Sequence, residues 1–111
     1  MQAPPRLNAW LFLANMARDT RSDIESLRDY YMVLEDVYSG RNESAAVRNV
    51  RYARNFVGHR EPLTMMKKFL LRELGHPVVQ FDPHNADHLR LASRWREEAR
   101  RLVDAELARH F

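Results

Sequence analysis

The stretch S-D-I-E-S-L-R-D-Y-Y-M-V-L-E-D-V-Y, residues 22–38, decides the fold that we predict for this chain. Ser22 and Glu25 form the pattern S-x-x-E, a capping box that marks the start of a helix. Apolar side chains follow in alternating steps of three and four residues, namely Ile24, Leu27, Tyr31, Leu34 and Tyr38. This spacing indicates one apolar helix face, which would pack inside the monomer core or against a second chain.

Four further stretches have apolar residues at helical spacing, and no useful alternating strand pattern interrupts them. Residues that favour a first turn or an N-cap indicate their starts, namely Pro4-Pro5, Asn42, Pro62 and Asp82-Pro83. Gly58 and Gly75 are expected to end helices. The sequence therefore predicts one all-α domain over residues 1–111, a small antiparallel bundle of four to five helices.

The composition limits the classes of protein to which this chain can belong. Hydrophobic residues make up 45% of its 111 residues and charged residues 30%, which suits one domain with a packed core. The absence of cysteine excludes disulfides, thiolate catalysis and zinc sites with cysteine ligands. The start lacks the pattern of a secretory signal, and the early apolar run is too short to cross a bilayer. We therefore expect a cytoplasmic protein that does not enter a membrane.

Arginine dominates the basic residues, because Lys67 and Lys68 are the only lysines. Arginine suits bidentate contacts with phosphate groups, although a coding bias towards arginine would give the same composition. On the third predicted helix, Arg48 and Arg51 lie on one face, and Arg54 extends this basic ridge towards the helix end. Arg48 and Arg51 are therefore candidate nucleic-acid-binding residues.

The most informative motif for function is R-N-x-x-x-H, formed by Arg54, Asn55 and His59 at the end of that helix. A histidine with a pKa near neutral can transfer protons during cleavage of a phosphodiester. An arginine can stabilise the charge that builds up on the phosphate oxygens. An asparagine can orient the histidine or hold a phosphate oxygen. This chemistry requires no metal ion, so we predict neither a metal site nor a cofactor.

The same three residues resemble the signature of the HEPN superfamily, small all-α domains that often act as RNases in defence and toxin–antitoxin systems. The resemblance implies an endoribonuclease in which His59 transfers protons, Arg54 stabilises the phosphate and Asn55 orients the site. It also implies a homodimer in which the motifs of two subunits meet. RNA would be the substrate, and an antitoxin or a nucleotidyltransferase could be a partner protein.

Other uses of the same residues remain open at this point. Arg54 could pair with Glu35, Asp36 or Glu61, while Asn55 and His59 could cap the helix end. HEPN-like domains without activity also exist, so the chain could be a non-catalytic module that binds nucleic acid or protein. A purely structural protein that uses the apolar face of residues 22–38 is a third hypothesis.

Four other groups of residues are predicted to be structural. His84 and His88 have the i, i+4 spacing of metal ligands, but a solvated first turn is the favoured interpretation. Glu35-Asp36 is expected to form a salt bridge with the arginine ridge of the third helix. The arginines of the last helix, Arg94, Arg96, Arg100 and Arg101, are expected to pair with acidic residues of the same helix. The aromatic residues Tyr30, Tyr31, Tyr38 and Trp95 are expected in the core.

Overall fold

The computed structural model describes residues 6–39, 42–58, 64–78 and 80–110, with Thr64 described by its backbone alone. These ranges contain five helices and no strand, which confirms the predicted all-α fold. The helices are α1 (Leu7–Asp19), α2 (Asp23–Val37), α3 (Ala45–Val57), α4 (Thr64–Leu74) and α5 (Ala86–Ala108). None of the helices in the described ranges is both long and apolar enough to span a membrane.

Side-chain caps set the starts of three helices. The Ser22 hydroxyl accepts a hydrogen bond from the Glu25 amide at 3.2 Å, which confirms the predicted start of α2. The predicted cap of α3 was wrong, because Ser44 and not Asn42 caps this helix. The predicted cap of α5 was also wrong. Asn85 caps this helix, because its side chain accepts hydrogen bonds from the amides of residues 87 and 88. Asp82 instead accepts a hydrogen bond from the His84 amide, in the turn before α5. Each such cap contributes about 1 kcal/mol.

Glycines follow α3 and α4, as the sequence predicts. Gly58 is the C-cap of α3, and its φ of −82° lies in the ordinary right-handed region. Gly75 has a φ of +79°, a left-handed conformation that glycine adopts without the cost of a Cβ. The predicted helix starts at Pro4-Pro5 and Pro62 lie outside the described residues.

Helices α2 and α5 form the centre of the bundle and make its most extensive helix–helix contact. Ser26 contacts Arg96, and Tyr38 contacts Glu106 further along both helices, so α2 and α5 run in the same direction. Trp10, near the start of α1, contacts Asp36 near the end of α2, so α1 is antiparallel to both. The last turn of α3 lies beside the first half of α2, where it can form a site.

The apolar face of residues 22–38 packs mainly inside the monomer. Leu27, Tyr31 and Leu34 are buried, and Ile24 and Tyr38 are partly buried against the same core. Burying such a side chain contributes about 1.5–3 kcal/mol to stability. Of the two roles that the sequence left open for this face, the structure therefore assigns most of it to the monomer core.

Candidate functional site

A surface hollow of about 220 Å³ lies between the start of α2 and the end of α3. Its lining residues are Ile24, Arg28, Arg54, Val57 and Gly58, and we call it the α2–α3 hollow. Because one water molecule takes up about 30 Å³ of liquid, this space can hold several waters or a small charged group. The hollow is therefore large enough for the part of a ligand that an arginine would recognise.

Arg54 lies in the last turn of α3 and is partly buried at the edge of this hollow. Its Nη1 donates a hydrogen bond to Asn55 Oδ1 at 2.9 Å, and its guanidinium carbon is 5.4 Å from the centre of the Tyr31 ring. Such a cation–π contact contributes about 0.5–1 kcal/mol. Among the described residues, no carboxylate lies within salt-bridge distance of Arg54, so the alternative in which it pairs with Glu35 or Asp36 is not found.

Tyr31 supports Arg54 from the core side of the hollow. The tyrosine is buried, and this burial raises the pKa of its hydroxyl, with Glu35 adding to the effect and Arg51 opposing it. The hydroxyl therefore remains protonated near neutral pH, and the ring presents an uncharged face to the guanidinium group. Together, Tyr31 and Asn55 hold Arg54 in one position without neutralising its charge.

Arg28 is a second cation in the hollow that the sequence analysis did not identify. It is exposed on α2, and its Nε is 3.5 Å from the carboxylate of Asp29. The signal that could have revealed it is the antiparallel pairing of α2 and α3, which places the start of one helix opposite the end of the other. Because the C-terminal end of α3 carries partial negative charge, Arg28 and Arg54 are what make the hollow suitable for an anion.

His59 lies outside the described residues, as does Glu61, one of the carboxylates that could pair with Arg54. The residue that precedes His59 is Gly58, which both ends α3 and lines the hollow. Of the three motif residues, the structure thus brings Arg54 and Asn55 into direct contact. The position of the histidine in the proposed site stays a prediction.

The basic ridge of α3 is partly neutralised by an acidic residue next to its N-cap. Glu43 lies 2.8 Å from Arg51 and 3.8 Å from Arg48. The Arg51 guanidinium also lies over the Tyr52 ring, with 5.5 Å to the ring centre. Arg48 and Arg51 are exposed enough to contact a nucleic acid, but they share one carboxylate. Arg54, by contrast, has no such partner among the described residues.

His88 belongs to the core, which corrects the prediction that it lies in a solvated first turn. It is buried against Phe56 and Phe81, and its Nδ1 accepts a hydrogen bond from the Asp82 amide at 2.9 Å. Burial lowers the pKa of His88, and the nearby Asp82 partly opposes this shift. His84 is exposed, and no group of three potential metal ligands occurs in the part of the chain that the structure describes.

Neither Glu35 nor Asp36 forms a salt bridge with the arginine ridge of α3 in the described ranges, so that prediction was wrong. Asp36 instead accepts hydrogen bonds from Arg6 at 2.6 Å and from the Trp10 indole at 2.7 Å. Both partners belong to the start of the chain, because the start of α1 packs beside the end of α2. Asp36 therefore holds α1 against α2 and takes no part in the hollow.

The arginines of α5 divide into two groups. Arg100 and Arg101 pair with acidic residues of the same helix, as predicted. Arg94 and Arg96 pair instead with Glu73 of α4 and Asp23 of α2, so they connect helices.

The aromatic residues that were predicted to lie in the core are buried, apart from the partly buried Tyr38.

Comparisons with protein-family models, with curated proteins and with solved structures find no match to this chain. The interpretation of the site therefore depends on the motif and on the geometry of the hollow.

Proposed function

We propose that this protein is a metal-independent endoribonuclease that acts at the α2–α3 hollow in the manner of HEPN-like RNases. The observation that carries the proposal is the set of contacts that the Arg54 guanidinium group makes. Its guanidinium group is held by Asn55 and Tyr31, faces a hollow, and has no carboxylate partner among the described residues. A partly buried cation that is held in place and not neutralised is suited to binding a phosphate.

In the proposed reaction, the 2′-hydroxyl of one nucleotide attacks the adjacent phosphorus while its proton passes to a base. The bond from phosphorus to the 5′-oxygen breaks, and that oxygen receives a proton from an acid. The products are a 2′,3′-cyclic phosphate and a 5′-hydroxyl, so all atoms and charges balance. His59 would perform one of these transfers, because histidine exchanges protons near neutral pH.

Arg54 would stabilise the charge on the non-bridging phosphate oxygens, with Arg28 as a second donor from α2. The hydrogen bond from Arg54 to Asn55 supports a positioning role for the asparagine, since it fixes the direction of the guanidinium fork. Arg48 and Arg51 would contact the RNA backbone on one side of the reacting phosphate. Their shared contact with Glu43 limits the strength of that binding.

The decisive experiment is RNA cleavage by the wild type and by the variant His59→Ala. We expect the wild type to cut single-stranded RNA in the presence of excess EDTA, with products that end in a 2′,3′-cyclic phosphate. His59→Ala should lower the rate by about 100-fold or more, which is the usual contribution of a general acid or base. His84→Ala, at an exposed histidine on the turn before α5, is the matched control and should cleave normally.

The outcomes separate this proposal from the alternative of a non-catalytic binding module. Equal cleavage by His59→Ala and wild type would refute the catalytic role of the histidine. RNA binding that weakens with salt, but without any cleavage by the wild type, would instead favour a module that binds nucleic acid through the basic ridge. Mass spectrometry of the product ends and a filter-binding assay provide the two measurements.

A further inference from the structure

The outer face of α1 and α2 exposes three large apolar side chains. Phe12, Met16 and Met32 have 64%, 45% and 44% of their surface exposed. Phe12 and Met16 are one turn apart on α1, and Met32 lies on the neighbouring helix. Trp10 contacts Asp36 and Ala17 contacts Ser26, so Phe12 is at the same level along the bundle as Met32. We call these three exposed side chains of the two neighbouring helices the apolar patch.

A groove of about 480 Å³ adjoins this patch. Ala9 and Leu13 of α1 line one side of the groove, and Met32 lines the other. Contiguous apolar patches on a protein surface mark interaction sites more often than isolated apolar residues do. The face thus combines projecting side chains with a groove that could receive such side chains.

A row of charges on α2 indicates what covers this face. Arg28, Met32 and Glu35 are spaced i, i+4 and i+7, so they lie on the same side of the helix, and all three are exposed. The arginine and the glutamate are about 10 Å apart along the axis, with the methionine between them. No basic side chain in the described ranges lies within salt-bridge distance of Glu35, and Arg28 has only its 3.5 Å contact with Asp29.

We propose that this face is a two-fold interface with a second copy of the chain. When the α2 helices of two subunits cross in opposite directions at Met32, Arg28 faces Glu35 of the partner subunit, and Glu35 faces Arg28 of the partner subunit. The two copies of Met32 then meet at the axis, as do the two copies of Phe12. A two-fold interface requires a surface that is complementary to itself, and this row of charges has that property.

The charges also select the direction in which the helices cross. If the two α2 helices ran in the same direction, Arg28 would face Arg28 of the partner subunit, and the like charges would repel each other. Arg28 also borders the α2–α3 hollow, and its five N–H donors allow contacts on both sides. The interface does not depend on the proposed RNA chemistry.

Charge exchange across the axis tests this proposal by the molar mass in solution. Sedimentation velocity should show a wild-type dimer within the range from about 1 to about 100 µM. Arg28→Glu and Glu35→Arg should each weaken the dimer at least about tenfold, because each places like charges opposite one another. The double variant R28E/E35R should restore the dimer, which a folding defect would not do. A monomeric wild type at the highest concentration, or no restoration by the double variant, would overturn the proposal.

A second test uses the absence of cysteine from the chain. In Met32→Cys, two thiols should meet at the axis and form an intermolecular disulfide under mild oxidation, because cysteine pairs need Cα atoms about 4.4–6.8 Å apart. Leu89→Cys is the control, since Leu89 is similarly exposed but lies on α5. Crosslinking that is no faster for Met32→Cys than for Leu89→Cys would place the axis elsewhere and contradict the proposal.

Discussion

Arg54 on α3 and Arg96 on α5 both approach the first half of α2, yet their surroundings differ. Arg96 donates from Nε to the Ser26 hydroxyl at 2.9 Å and from Nη1 to the Asp23 carboxylate at 2.9 Å. Ser26 in turn donates to the carbonyl of Ala17 at 2.6 Å, so three helices are connected. Arg54 contacts a neutral amide and an aromatic ring, and it faces a hollow.

The difference distinguishes an arginine that supports the fold from one that is available to a ligand. The charge of Arg96 is compensated by a carboxylate, and removing the arginine would leave polar groups without their partner. Arg54 has a fixed position, but its charge has no carboxylate partner among the described residues. Burial alone would not separate the two, because both side chains are partly buried.

The largest expected effect is on catalysis. Arg54→Ala should lower the rate of RNA cleavage by about 100-fold or more, because a donor to the developing phosphate charge is lost. Arg54→Lys should lose part of the rate, since lysine keeps the charge but not the guanidinium fork. Single-turnover cleavage assays measure both variants, with Arg96→Ala as the control. If Arg96→Ala lost as much activity per folded molecule as Arg54→Ala, the loss in Arg54→Ala would not indicate a specific role of Arg54 in catalysis.

For stability, we expect Arg96→Ala to have a larger effect than Arg54→Ala. Arg96→Ala should lower the free energy of unfolding by about 1–2 kcal/mol, because Asp23 and the buried Ser26 lose a hydrogen-bond donor. Arg54→Ala should cost less than about 1 kcal/mol, the size of its cation–π contact. Urea unfolding followed by circular dichroism measures both values. A larger loss for Arg54→Ala would mean that the hollow is a structural corner.

The pH dependence of stability tests whether His88 is buried in the core. Because burial lowers the pKa of His88 in the folded protein, the unfolded chain binds its proton at a higher pH. Stability should therefore fall as the pH drops below about 6.5, by at most about 1.4 kcal/mol per pH unit for one histidine. Urea unfolding at several pH values should show a weaker pH dependence in His88→Phe and an unchanged one in His84→Gln. An unchanged dependence in His88→Phe would assign it to another group.

The smallest effect concerns the arginines that share Glu43. Glu43→Gln should raise RNA affinity about two- to fivefold, because Arg48 and Arg51 lose a competing carboxylate. The salt dependence of binding should become steeper, since more cations are then free to contact phosphates. Filter binding at several salt concentrations measures both changes. An unchanged affinity and salt dependence would remove these two arginines from the proposed RNA surface.

Local patterns predicted the fold class and several of the helix limits. The capping box at Ser22 and the glycines after α3 and α4 have local causes, so the sequence alone was sufficient. The N-caps of α3 and α5 were misplaced by two or three residues, because several adjacent polar residues could serve as a cap. The candidate site was predicted only in part, since Arg28 is distant from the motif in the sequence and its signal is a helix pairing.

The sequence by itself determined that this chain forms a helical bundle, because helical spacing and capping involve residues within a few positions of one another. It also determined which residue types are available for phosphate chemistry. Only the tertiary structure decided which arginines have carboxylate partners, why His88 is buried, and which face of α2 is exposed. These properties depend on side chains brought together from distant helices, and no local pattern contains that information.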